Sequence, residues 1–252
     1  MTWDQVARRI ADGAAAILPV GAAAKQHGFH LPMNTDQIQA EWLAEQLADH
    51  CDAVIWPTVI YGHYPAFAAY AGSTGLSSAT FEAMIREIAG GILGFGCGRL
   101  LVLDTGISTV APVDRALAAF DSHAVLHLKL HEGPRYRRWA QMLAKQAYGS
   151  HADELETSVM LALAPDVVDM ARAEASPPAS HASTGALTPK DPASADYSRS
   201  GSFGDPTLAT RAKGDALLKA MVDDLVAASA GFITPPPLDR QAPHDGTRNV
   251  QR

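Results

Sequence analysis

The chain has 252 residues and a mass of 26.6 kDa, a length that suits one undivided α/β domain with a substantial buried core. Its 20 basic and 27 acidic residues give a formal charge of −7, which argues against a nucleic-acid footprint, where a basic stripe is required. Its two cysteines, Cys51 and Cys97, lie far apart without Cys-x-x-Cys spacing, so they read as small buried apolar residues rather than a disulfide or a thiolate zinc site.

Residues 3 to 12 read as a helix with Val6, Ala7 and Ile10 on one face. This start is amphipathic rather than leader-like, and no apolar run reaches the ~18 residues of a membrane span. A soluble cytoplasmic protein with no membrane partner is the resulting expectation. Ile17-Leu18-Pro19-Val20 reads as a short buried strand, followed by a polar loop from Gly21 and then a helix from about Asp36 through Asp49. A polar loop at the exit of a buried strand is where open α/β sheets place their chemistry. His27, His30 and Asp36 fall within ten residues here, with Gly28 and Pro32 turning the backbone between them. Imidazole nitrogen and carboxylate oxygen suit zinc, manganese or iron(II). Spacing alone leaves equal room for two loop histidines bonded to backbone carbonyls.

The stretch Pro19-Val20-Gly21 to Lys25-Gln26-His27-Gly28-Phe29-His30-Leu31-Pro32, closing on Thr35-Asp36, resembles the first motif of the creatininase (creatinine amidohydrolase) family. That motif runs roughly Pro-Val-Gly-x-x-Glu-Gln-His-Gly-x-His-Leu-Pro-x-x-Thr-Asp. The resemblance implies His27 and Asp36 as ligands of a catalytic divalent ion. The family's Glu falls where this chain has Lys25, and one extra residue separates Gly21 from His27. If that residue shifts the loop, Gln26 takes the position of the acid. An amide oxygen still offers a ligand or a catalytic contact, but it adds no charge and cannot act as a base.

Ala53 to Pro57 reads as a second buried strand. Its exit loop carries Tyr61-Gly62-His63, where His63 either contacts substrate or makes an ordinary loop hydrogen bond. Ser77 or Ser78 suits the N-cap of a helix from Ala79 to Ala89. The glycine-dense run Gly90 to Gly98 lacks the Lys-Ser/Thr pair of a phosphate loop and reads as a helix end and a turn. A strand from Arg99 to Leu103 follows, then Asp104-Thr105-Gly106-Ile107-Ser108-Thr109 and a helix from about Pro112 to Phe120. Creatininase relatives carry metal-binding His and Glu residues in this loop. Gly106 and Ser108 stand there instead, which implies one ion per subunit rather than two and leaves Thr105 and Ser108 to bind a substrate carboxylate or carbonyl.

His123, His127 and His131 line up at even spacing in an apparent strand, a pattern that fits a half-exposed face or an oligomer interface better than a metal site. His151-Ala152-Asp153-Glu154-Leu155-Glu156-Thr157-Ser158 resembles the family's His-Ala-Gly-x-x-Glu-Thr-Ser, with a helix from Glu156 to Leu163 and Pro165 just beyond. Chemistry alone makes these acids a favourable helix start. The resemblance makes His151 the catalytic histidine and Glu156 a third metal ligand. Residues 176–199 read as a surface loop rich in Pro, Ala, Ser and Thr, and Asp205-Pro206 as the cap and first turn of a helix running to Ala230.

The expected architecture is a three-layer α/β/α domain over residues 1–234 with a mostly parallel sheet, followed by an extended tail, 235–252. The resemblance further implies a homo-oligomer, a hexamer, and metal-assisted cleavage of an amide C–N bond in a small, cyclic substrate. The rivals are a deformylase or peptide-trimming hydrolase on the same scaffold, and a catalytically silent binding protein.

Overall fold

The computed structural model describes residues 1–176 and 185–233. The expected tail 235–252 and residues 177–184 of the surface loop lie outside the described residues. The chain runs through α1 (Trp3–Ala11), β1 (Ala15–Val20), α2 (Thr35–Ala48), β2 (Ala53–Ile55), α3 (Ser78–Gly94), β3 (Leu100–Asp104) and α4 (Val110–Leu117). β4 (Val125–Lys129), α5 (Pro134–Leu143), α6 (Glu154–Leu163) and α7 (Arg211–Ile233) complete it.

Among the described residues four strands pair in the order β2-β1-β3-β4, every neighbour parallel. Parallel strands need crossover helices, which cover both faces and bury the central strands on each side. β1 and β3 are accordingly buried at every position. Alternation of side chains then divides them between two layers. Ala16, Leu18, Val20, Leu100 and Val102 pack against Phe81, Ile85, Ala89 and Ile92 of α3 and Val113, Ala116 and Leu117 of α4. Ile17, Leu101, Leu103 and Leu128 face Leu43, Ala44 and Leu47 of α2, Val159 of α6 and Leu217, Leu218, Met221 and Leu225 of α7. The expected three-layer α/β/α arrangement is therefore present. The chain leaves β1 toward β2 and returns to the other side at β3, so the switch point lies between the C-terminal ends of β1 and β3, where such sheets open a crevice.

Several local expectations are revised. α1 keeps Val6 and Ile10 half-buried, but Ala7 is exposed. Ser77 caps α3, its hydroxyl accepting from the Thr80 N–H at 3.2 Å. That helix reaches Gly94, so Gly90 and Gly91 lie inside it, and the turn comes at Gly96, whose φ is +89°. His123, His127 and His131 do not share a strand face: only His127 lies within β4, His123 precedes it and His131 falls in the 3₁₀ turn Leu130–Glu132. Asp205 caps a single 3₁₀ turn, Pro206–Leu208, rather than a long helix. Ala209 is extended there, and α7 starts after Thr210, whose hydroxyl accepts from the Lys213 N–H at 3.4 Å. α5 was not anticipated. It begins with Pro134 in its first turn and buries no residue fully. Its N-terminus is capped from across the molecule by Asp224 of α7, which accepts from the N–H groups of Arg135 (3.2 Å) and Tyr136 (2.8 Å).

α6 and α7 pack closely enough that a Cβ on Gly214 would strike the Ser158 carbonyl. At this contact Lys213 pairs with Glu154, which has no exposure to solvent and also accepts the N–H groups of Lys145 (2.8 Å) and Gln146 (2.7 Å). Removing one member strands a buried charge. Glu154→Gln or Lys213→Met is expected to lower stability by about 3–5 kcal/mol, and the double variant Glu154→Gln/Lys213→Met by less than either single one, measured by urea unfolding.

Candidate active site

At the C-terminal end of β1, Gly21 lets α2 approach so closely that any Cβ there would meet the Asp36 carbonyl and the Ala40 Cβ. This packing buries the first turn of α2 and with it Asp36, 4% exposed. A carboxylate at a helix N-terminus gains from the helix dipole, but a buried one also needs close polar partners. It has two. Lys25 Nζ lies 2.7 Å from Asp36 Oδ2, and His27 Nε2 lies 3.0 Å from Oδ1. Burial raises the Asp36 carboxyl, and Lys25 with His27 outweighs it, holding the group well below the usual carboxylate range.

His27 is fully buried, and its Nδ1 lies 2.9 Å from the Lys25 carbonyl oxygen. Nδ1 therefore carries a proton, and Nε2 faces outward. It meets Asp36 Oδ1 at 3.0 Å and Glu156 Oε1 at 3.7 Å. With Nε2 unprotonated, this nitrogen and the two carboxylate oxygens would gain from a cation held among them. The separations bracket the roughly 3.3 Å between donors that share a tetrahedral ion at ~2.0–2.1 Å. These residues fit a divalent ion.

Glu156 enters from α6, whose N-cap is Asp153, accepting from the N–H groups of Leu155 (2.9 Å) and Glu156 (3.0 Å). Burial raises the Asp153 carboxyl, partly offset by these hydrogen bonds and by Gln146. Ala152 takes a left-handed conformation with φ 46°, a strained geometry for a residue with a Cβ. Its N–H donates to Glu156 Oε2 at 2.6 Å, which fixes the carboxylate beside the preceding His151. His151 Nε2 lies 2.8 Å from the Gln26 carbonyl oxygen, leaving Nδ1 toward Glu156 Oε2 at 3.8 Å. One ligand atom each of His27, His151 and Glu156 lies within 4.8 Å of the others. Burial first, then His27 and Lys25, hold His151 well below its ordinary range, so its imidazole is neutral at pH 7. Its ring packs on Phe67 at 4.0 Å, and the Lys25 ammonium sits over the same ring at 5.3 Å.

The other expected site residues divide. Thr105 and Ser108 line the cavity with Lys25, Asp36, His151 and Glu156, but both hydroxyls donate to backbone: Thr105 to the Val20 carbonyl at 3.1 Å, Ser108 to that of His63 at 2.7 Å. His63 stands behind Ser108, its Nδ1 at 3.0 Å from the Leu76 carbonyl oxygen, and is not among the cavity's lining residues. The Gln26 amide is committed to the loops: its oxygen accepts the Gly28 N–H at 2.9 Å and its nitrogen donates to the Gly201 carbonyl at 2.8 Å. Gly201 has φ +88°, and a Cβ there would strike that amide.

Sequence reading missed Tyr136, His131 and Phe67, which also line the cavity. Burial, then Asp153 and Glu156, raise the Tyr136 hydroxyl, keeping it a proton donor. The spacing Tyr136, Ala140, Leu143 behind Gly133-Pro134 was a legible helix signal; nothing in it pointed to a cavity.

The model of the family described as creatinine amidohydrolase matches residues 1–229. The chain belongs to the creatininase family. It is 28% identical over 250 residues to the creatinine amidohydrolase of Pseudomonas putida, covering 90% of this chain and 94% of that one. It is also 28% identical over 218 residues to the mycofactocin precursor peptide peptidase of Mycolicibacterium smegmatis, covering 82% and 81%. A mutant creatininase of the Zn-Zn type superposes with a TM-score of 0.78 at 25% identity, over 94% of this chain and 97% of that one. This is a family of hydrolases acting on carbon–nitrogen bonds, as the motifs implied.

His30 joins the motif loop to α6 through Thr157 Oγ1, 2.8 Å from its Nε2. Burial lowers its pKa from 6.5 to about 4, so the folded state resists a proton that the unfolded chain accepts. Stability from this group is complete above pH 6.5 and is lost as pH falls toward 4, by about 3 kcal/mol in full. Denaturant titrations from pH 7 to 4 are expected to show a shallower decline in His30→Leu than in the wild type.

Proposed function

We propose that this protein is a metal-dependent amidohydrolase that cleaves the C–N bond of a small, cyclic amide, with the ion held by His27, Asp36 and Glu156. The observation that carries this reading is the convergence of the Asp36 and Glu156 carboxylates on Nε2 of His27. A divalent zinc, manganese or iron ion there supplies positive charge to polarise a carbonyl and to make water more acidic.

The protein's own groups do the rest. Tyr136 and the Lys25 ammonium offer donors to a carbonyl oxygen in the cavity. His151, neutral at pH 7 with Nδ1 facing Glu156, takes a proton from attacking water and returns it to the departing nitrogen. Phe67 closes one side of that imidazole and keeps bulk water from it. The cavity, about 320 Å³, is at the small end of ligand pockets, which favours a compact amide over a folded protein substrate.

Peptide trimming is the second reading, supported by the resemblance to the mycofactocin precursor peptide peptidase. It uses the same groups on an extended substrate. Hydrolysis of a panel of cyclic amides, formamides and short peptides separates the two; turnover of the cyclic amides alone is the expected result. By the resemblance the protein works as a homo-oligomer, a hexamer.

Metal analysis of the purified protein is expected to find a stoichiometric divalent ion, and His27→Ala to lose it. An ion-free wild type that still turns over substrate overturns the reading. Gln26→Glu separates an enzyme from a silenced one. Because both ends of the Gln26 amide are hydrogen-bonded, this variant is expected to gain no activity and to lose stability by about 1–3 kcal/mol through an unpaired Gly201 carbonyl. A large gain in turnover instead shows an enzyme disabled at that position.

A further inference from the structure

We infer that Lys25 is a built-in cation that takes one of two cation positions on Asp36 and so restricts the site to a single metal ion. The inference rests on the metal reading above and adds to the donor role of Lys25 a second one, as a resident charge on Asp36.

A carboxylate offers two oxygens. In Asp36 one faces His27 Nε2, with Glu156 close to the same nitrogen, and the other faces Lys25 Nζ at 2.7 Å. Two-metal centres hold their ions roughly 3.5–4 Å apart, a spacing that a carboxylate with one ion at each oxygen can bridge. The scaffold accommodates two ions in the Zn-Zn creatininase it resembles. Here the second place holds an ammonium. Lys25 is not a surface lysine folded inward by chance: its side chain is only 10% exposed. It lines the cavity beneath Phe67, with its own carbonyl at 2.9 Å from Nδ1 of His27. One residue therefore orients the histidine through its backbone and neutralises half of the aspartate through its side chain.

Charge makes the same point. Asp36 and Glu156 carry two negative charges against the single positive charge of Lys25, so one divalent ion leaves the cluster with a net charge of one. A second ion raises it to three in a buried site, where like charges interact strongly. No carboxylate or imidazole stands in the loop from Thr105 to Thr109 to hold a second ion: Thr105 and Ser108 bring hydroxyls to this cavity, and Asp104, which borders a small neighbouring pocket with Lys25 and Asp36, has its Oδ1 taken up by Gly106 and Thr109. The ammonium also makes Lys25 a fixed hydrogen-bond donor at the place where a second ion would polarise substrate.

The test is Mn²⁺ binding to the full-length protein, with stoichiometry by equilibrium dialysis and electron paramagnetic resonance of the bound ion. The wild type is expected to take one Mn²⁺ per chain with an uncoupled spectrum. Lys25→Glu, which replaces the cation by a ligand, is expected to take two with an exchange-coupled spectrum. Lys25→Ala keeps the fold under milder disturbance, and removing the neighbouring positive charge is expected to tighten the first ion by about tenfold. A wild type that binds two ions, a Lys25→Glu variant that folds yet stays at one, or unchanged or weakened affinity in Lys25→Ala overturns the role of Lys25. A wild type that binds no ion overturns the metal-site reading itself, so the two failures are distinct.

Discussion

The Asp36 carboxylate is the constraint from which the rest of the site follows. A charge buried to this degree is tolerated only when opposite charge and hydrogen bonds surround it. The chain meets that demand from a short sequence distance, with Lys25 and His27 on the loop after β1 and Asp36 on the helix that follows it. The close approach of Gly21 to α2 sets the separation. Because β1 is buried on both faces, the loop leaving it has no freedom to slide, and the rigid sheet becomes a rigid site. Sheet, loop and helix thus share one requirement, which is to keep a single carboxylate between a lysine and a histidine.

The start of α6 shows how environment divides work among similar groups. Asp153, Glu154 and Glu156 are carboxylates within four residues, and all favour a helix N-terminus. Asp153 is held by backbone N–H groups as the cap, Glu154 pairs with Lys213 to lock α6 onto α7, and Glu156 turns to His27 and His151. The stability of the domain and the geometry of its cavity therefore meet in a single helical turn. The left-handed Ala152 stores strain at the junction, and the two packed helices behind it hold that strain in place.

Much of this was legible in the sequence, for physical reasons. The central strands β1 and β3 announced themselves as apolar runs, and the crossover pattern implied a parallel sheet with helices on both faces. The run from Ala53 to Pro57, read as buried, forms instead the short edge strand β2, with Val54 alone buried and Ile55 exposed. The segments bearing His27, Asp36, His151 and Glu156 were readable as motifs, and the structure brings those side chains together. What remained hidden depended on distant parts of the chain. The cap of α5 is Asp224, which lies roughly ninety residues away, so the placing of that helix against the cavity leaves no local trace. Tyr136 and His131 reach the cavity only because that cap and β4 aim them there. The aligned histidines misled because even spacing marks a shared face only inside a continuous strand, and β4 stops at Lys129. Lys25 was visible as a departure, but a lysine in sequence carries no sign of whether it points to solvent or to a buried aspartate.

Gln26 shows how a structure alters the meaning of such a departure. Judged by motif alone it invites comparison with an acid that has lost its charge. Its surroundings ask for something else, an acceptor for the Gly28 N–H and a donor for the Gly201 carbonyl, and among side chains of this length only an amide supplies both. A carboxylate in that orientation sets oxygen against oxygen at Gly201 in a buried space and adds a negative charge near Asp36 and Glu156. The nearby His151 makes the point sharper, since its Nε2 rests on the Gln26 carbonyl oxygen. Gln26 fixes two loops and the imidazole between them.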